Sequence, residues 1–180
     1  MADKDAMQMG SRLHRKIQGR MGADYHAEVP LKTEIDYETF LLVVEGRADG
    51  IFREQEKYVI DEIKGVFRDV ERMEEADPIH LAQAKCYACI YAGQRNLEEI
   101  GVQMTYANLD TEEIRRFPYT YTKAELESWF EELTAAYRKW AQMQLEWKYA
   151  RKDSIGKTVF PYPYREGQKD LAAAVYRTIW

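Results

Sequence analysis

The chain has 180 residues, 46% of them hydrophobic and 32% charged, which suits one α/β domain with a real core and a short appendage. A net charge of −5 excludes a protein that coats nucleic acid through bulk positive charge, but leaves room for a local cationic cleft. No apolar run approaches the roughly 20 residues that span a bilayer. The start, Met1-Ala2-Asp3-Lys4-Asp5, also lacks a signal-peptide core, so the expectation is a cytoplasmic protein with no membrane partner.

The first predicted element is a helix over residues 7–20, with Leu13, Ile17 and Met21 on one apolar face and Ser11 as a candidate cap. It carries the richest N-terminal basic patch, Arg12, Arg15, Lys16 and Arg20, and it places His14 one turn inside. Residues 28–32 read as an edge strand or its approach, because Pro30 cannot donate a ladder hydrogen bond. Residues 34–38 read as a loop, and Glu28 as a solvated strand residue.

Two β-rich runs follow, V-V-E-G-R-A-D-G-I-F and Y-V-I-D-E-I-K, joined by the charged stretch Arg53-Glu54-Gln55-Glu56-Lys57 as an antiparallel hairpin. Strict alternation puts Glu62 and Lys64 on one face of the second strand, with Val59, Asp61 and Ile63 on the other. In the first strand it groups Glu45, Arg47 and Asp49 against Phe40, Leu42, Val44, Ala48 and Phe52, so Asp49 can sit beside Glu62. Two converging carboxylates repel unless a cation neutralises them, and a hard divalent ion such as Mg²⁺ is the usual answer. With Lys64 orienting or polarising a water, such a site suits attack on a phosphodiester.

Beyond the hairpin, residues 69–76 read as weakly helical. Asp77-Pro78 opens a stronger helix, with Leu81, Ala84, Ala88 and Tyr91 at helical spacing. On it Gln83 and Tyr87 are four apart and share a face, while His80 is a second candidate ligand. Cys86 and Cys89 have no second Cys/His pair to complete a metal site, and read as small hydrophobes. Strands over 100–107 and 114–122 come next, turning at Asp110-Thr111-Glu112. Their Tyr106, Tyr119 and Tyr121 are either sheet-packing residues or platforms for bases. Thr122-Lys123-Ala124-Glu125 is a capping box for a helix running to about residue 149, with an apolar stripe of Leu126, Trp129, Phe130, Leu133, Tyr137, Trp140 and Leu145. Residues 151–157 break the pattern. Gly156-Lys157-Thr158 is no complete phosphate-binding loop, because Arg151 stands where that loop needs glycine.

Asp49 followed by Glu62-Ile63-Lys64 resembles the D…(D/E)-x-K signature of the PD-(D/E)xK nuclease superfamily. Preceded by G-x-x-x-H (Gly10 to His14) and followed by Q-x-x-x-Y (Gln83 to Tyr87), the order is similar to its RecB-like and Cas4-like branch. The resemblance implies a restriction-endonuclease-like α/β core, a central mixed β-sheet flanked by helices. It implies Mg²⁺ or Mn²⁺ held by His14, Asp49, Glu62 and the Ile63 carbonyl, with Asp49, Glu62 and Lys64 catalytic and Gln83 and Tyr87 positioning the DNA substrate or the catalytic lysine. The activity implied is hydrolysis of DNA, expected to be exonucleolytic and to serve repair or recombination. The iron-sulfur members carry four cysteines, and with two no cluster is expected here.

Phe160-Pro161-Tyr162-Pro163-Tyr164, then Arg165 and Gln168, resembles the opening of Rad3/XPD-like or DinG-like helicases. This implies residues 1–150 as a nuclease domain and 151–180 as a linker and the start of a helicase domain in a longer chain. A noncatalytic DNA-binding or interaction module of a helicase is the alternative. It predicts DNA affinity with no hydrolysis and no need for metal.

Overall fold

In this computed structural model, residues 2–157 and 161–179 are described. The element order is α1 (Ala2–Gln18), β1 (His26–Asp36), β2 (Leu41–Glu54), β3 (Lys57–Val66), α2 (Pro78–Arg95), β4 (Glu99–Asn108), β5 (Ile114–Thr122), α3 (Lys123–Gly156) and α4 (Gln168–Ile179). The five strands form one mixed sheet in the order β1-β2-β3-β4-β5, and helices flank it. Only β3 and β4 run parallel; α2 makes the crossover between them, as a parallel pair requires. β4 is buried along nearly its whole length, and its apolar run Ile100 to Ala107 reads as a central strand.

Helix α2 covers one face. Ala84, Ala88, Tyr91 and Ala92 pack with Leu31, Ala48, Ile60, Val102 and Met104 in the main core. Small residues every fourth position let the helix lie close to the sheet. Asp77 caps it by accepting the Ile79 N–H at 2.9 Å, and Asn96 closes it in the left-handed region. Helix α1 builds a second, smaller core, in which Leu13 and Ile17 meet Ile63 and Ala107.

Several expectations are corrected. Helix α1 begins at Ala2, so Ser11 lies inside it and is not its cap. β1 extends through Asp36, and the loop shrinks to a turn in which the Tyr37 N–H donates to the Phe40 carbonyl. The hairpin turn is only Gln55-Glu56, both at positive φ, because Glu54 already pairs with Lys57. Residues 69–76 are not helical. The Asp69 side chain accepts the Glu71 N–H, which competes with a helix, while Val70, Met73 and Ala76 plug the core.

The capping box stands as predicted: Glu125 accepts the Thr122 N–H at 2.8 Å and Thr122 Oγ1 accepts the Glu125 N–H. Helix α3 nonetheless runs on to Gly156, and its apolar stripe is core only at the start. Leu126 and Phe130 are buried, whereas Leu133, Tyr137 and Trp140 are exposed. Tyr106 is fully buried, with its hydroxyl accepting the Asp77 N–H, so it cannot stack on a base; Tyr119 and Tyr121 pack against the core.

The chain divides into two compact units, Met1–Ala136 and Tyr137–Trp180. In the second, Tyr137 and Trp140 pack ring against ring, and the Arg165 N–H donates to Gln168 Oε1 at the start of α4. Phe160 of the aromatic-proline segment and Thr158 lie outside the described residues. Among the described residues no helix is long and apolar enough to cross a membrane.

Candidate active site

β2 is where the sheet opens. Gly46 faces α2, since a Cβ there would meet the Tyr87 ring. Gly50, of the same parity, faces the other way: a Cβ there would run into the Tyr25 hydroxyl, which donates to Asp61. The alternation therefore slips between them, and opposite the slip Glu28 takes a positive φ of 56°. This corrects the strict face assignment, because Ala48 joins the α2 core while Phe52 stacks on Tyr25. The slip also ends the β2–β3 ladder at Gly50 and Asp61.

Past that last pair, a side chain replaces the backbone partner. The Ile63 N–H donates to Asp49 Oδ2 at 2.7 Å, so β2 and β3 fork with the Asp49 carboxylate in the crotch. The other oxygen, Oδ1, lies 3.4 Å from His14 Nδ1. That hydrogen-bonding neighbour raises the His14 pKa against the opposing effect of burial. Gln18, one turn on, donates to the Asp49 carbonyl at 2.9 Å and to Glu28 Oε1 at 3.1 Å. Helix α1 thus grips the fork through His14 and Gln18, which are four apart on one face.

On the α2 side of β3, Glu62 Oε1 pairs with Lys64 Nζ at 2.8 Å. Lys64 Nζ donates to Gln83 Oε1 at 2.9 Å, and Gln83 Nε2 donates to the Tyr87 hydroxyl at 3.2 Å. Side chains from β3 and α2 therefore form one polar chain ending on the Glu62 carboxylate. Glu62 is only 2% exposed, and its second oxygen, Oε2, is buried with no hydrogen-bond partner. Burial first, and the Asp49 charge second, push its pKa up to about 7.

His14, Asp49, Glu62, Ile63, Lys64, Gln83 and Tyr87 thus gather at one fork, with Ile63 contributing its N–H to Asp49. His80 is held elsewhere, its Nδ1 3.0 Å from the Tyr106 hydroxyl, and burial lowers its pKa. In the basic patch, Lys16 is paired with Glu112. Cys86 and Cys89 are half-buried free thiols, with pKa values raised by burial.

The sequence reading missed Gln18, Tyr25 and the pair Gln103 and Thr105, which both donate to Asp61. Gln18 had a signal in its i, i+4 relation to His14. Two glycines four apart within one strand were the signal for the tyrosine contacts.

Among the described residues, no three His, Cys, Asp or Glu side chains are gathered closely enough to hold a metal ion as they stand. The donors nevertheless suit one in kind. Carboxylate oxygens and an imidazole are ligands for Mg²⁺ or Mn²⁺, and the bare buried Glu62 oxygen is the group a cation would satisfy.

No family model matches the chain, and no curated protein matches it. Among solved structures, the crystal structure of SSO0001 is similar at a TM-score of 0.48 and 20% identity. That alignment covers 73% of this chain and 60% of the other, so the chain spans less than two thirds of SSO0001.

Proposed function

We propose that this chain is a metal-dependent DNA nuclease of the PD-(D/E)xK superfamily, in its RecB-like and Cas4-like branch. The observation that carries the reading is the buried Glu62 carboxylate, held by Lys64 through one oxygen and bare at the other, beside Asp49 and His14. A buried, half-satisfied carboxylate near a second acid destabilises the fold unless something cationic meets it. A frame with no such task would fill the position with an apolar residue.

Asp49, Glu62 and His14, with the Ile63 carbonyl, would hold Mg²⁺ or Mn²⁺. When bound, the ion supplies Lewis-acid stabilisation of the negative charge that builds on a scissile phosphate. Lys64 orients the attacking water and, as a cation, stabilises the same charge from the protein side. Gln83 holds the ammonium at the end of its reach, and Tyr87 holds Gln83. Glu62 holds Lys64 in place by direct pairing.

End-labelled linear DNA and circular DNA, single- and double-stranded, incubated with Mg²⁺, Mn²⁺ or EDTA, test the reading. Loss of linear substrate with metal but not with EDTA is the expected result, and survival of circles would make the action exonucleolytic. DNA binding without cleavage under any metal would favour the noncatalytic module instead. The motif from Pro161 to Gln168 supports a further proposal, that the nuclease works joined to a Rad3/XPD-like helicase and serves repair or recombination.

A further inference from the structure

Gly46 stands in the middle of β2, paired with Leu31 of β1, where glycine weakens a strand. Its backbone does not call for glycine, since among the described glycines only Gly167 has a positive φ. What it lacks is room. A Cβ at Gly46 would stand 2.7 Å from the Tyr87 hydroxyl oxygen, 2.8 Å from Cε1 and 3.1 Å from Cζ. The Tyr87 ring therefore lies on bare backbone, and any side chain at position 46 displaces it.

That displacement has a defined route. Tyr87 accepts from Gln83 Nε2 at 3.2 Å, Gln83 Oε1 accepts from Lys64 Nζ at 2.9 Å, and Lys64 meets Glu62 at 2.8 Å. With its nitrogen donating to Tyr87, Gln83 has its amide oxygen turned to Lys64. We propose that Gly46 is a positioning residue for Lys64: its missing side chain seats Tyr87, and through Gln83 the seated ring sets where the ammonium stands beside Glu62. Position 46 thereby couples the β1–β2 ribbon to the fork without touching it. The cleavage readout of this proposal rests on the nuclease reading above; its spectroscopic readout does not.

The test is a double-mutant cycle of Gly46→Ala and Tyr87→Ala, the second change opening the space that the new methyl group needs. Gly46→Ala alone is expected to lower kcat for Mn²⁺-dependent cleavage of linear DNA by about tenfold or more, the size typical of residues that orient a catalytic group. Mn²⁺ affinity stays as in the parent chain, and Gly46→Ala causes no further loss when Tyr87 is already Ala. In ¹⁵N-lysine-labelled protein the Lys64 ammonium signal should move in each single variant and not move again in the double one. An equal fall in kcat in both backgrounds, a loss carried wholly by Mn²⁺ affinity, or an unmoved Lys64 signal in Gly46→Ala would overturn the proposal. A parent chain that cleaves no DNA would sink the nuclease reading alone, because the ammonium signal still decides the role of Gly46.

Discussion

Asp61 and Glu62 are neighbours on β3, both carboxylates and both almost fully buried, and they face opposite sides of the sheet. Asp61 accepts from Thr105 Oγ1 at 2.6 Å, Tyr25 at 3.0 Å and Gln103 Nε2 at 3.1 Å. Glu62 accepts from Lys64 and leaves Oε2 bare. Burial raises both pKa values, but at Asp61 three hydrogen bonds oppose the rise, while at Glu62 the Asp49 charge adds to it. A buried acid surrounded by donors belongs to the frame. One kept short of donors, next to a lysine and a second acid, is the group on which the proposed metal site rests.

The largest effects should separate the two acids by kind. Glu62→Ala or Lys64→Ala is expected to reduce Mn²⁺-dependent cleavage of end-labelled DNA by about a hundred- to a thousandfold or more, the scale of removing a charge-stabilising group. Cleavage surviving both changes would rule out the assignment. Asp61→Ala should act on folding instead, leaving the buried Thr105 and the part-buried Tyr25 and Gln103 without their acceptor and lowering unfolding free energy in urea by about 3 kcal/mol or more. An Asp61→Ala protein of unchanged stability would show that the three bonds do not hold the slip in β2.

The next effect carries a sign that depends on pH. The folded-state pKa of Glu62 is raised from 4.5 to about 7, so the folded chain binds the proton more tightly than the unfolded chain does. Stability from this group is therefore complete below pH 4.5 and falls as pH rises towards 7, by up to about 3 kcal/mol. Glu62→Gln has no such proton to lose. The variant should match the parent in acid and exceed it at pH 8, as read by urea unfolding without metal. The raised pKa of His14 makes the parent lose stability in the same direction, and comparison with the variant cancels this apart from the part that the Glu62 charge itself supplies. Adding Mn²⁺ at about a hundredfold above its Kd should then stabilise the parent by about 2.7 kcal/mol, and Glu62→Gln by less. A parent chain whose melting temperature ignores Mn²⁺ would count against a metal at the fork.

Much of the fork was legible because its parts lie on regular elements. Glu62 and Lys64 share a face by strand alternation, and Gln83 and Tyr87 by helical spacing. The Asp77 cap and the Thr122-Glu125 box were readable for the same reason, since their partners are two and three residues away. The slip in β2 was not readable. It depends on Tyr25 and Tyr87 reaching Gly50 and Gly46 from opposite faces, contacts between positions far apart in the chain. Strict alternation places Ala48 and Phe52 on one face, and the slip puts them on two. The donors around Asp61 were hidden likewise, because Thr105 and Gln103 reach it only once β4 is laid parallel to β3.

The smallest effect is the sharpest probe of whether the two sides of β3 are separate. Tyr25→Phe keeps a ring to stack on Phe52 but removes the hydroxyl that donates to Asp61 Oδ2. Asp61 then keeps Thr105 and Gln103, and the expected loss of unfolding free energy is roughly 1.5 to 3 kcal/mol, the value of one hydrogen bond to a charged acceptor. The hydroxyl also lies against Gly50, one residue from Asp49, so the same change asks whether the frame transmits strain into the fork. If Asp61 only anchors the sheet, cleavage at saturating DNA and Mn²⁺ persists in Tyr25→Phe while stability drops. A fall in cleavage with stability nearly intact would mean that Asp49 is aimed from behind, through Tyr25 and Gly50. The division between a satisfied acid and a waiting one would then fail at the point where β2 changes face.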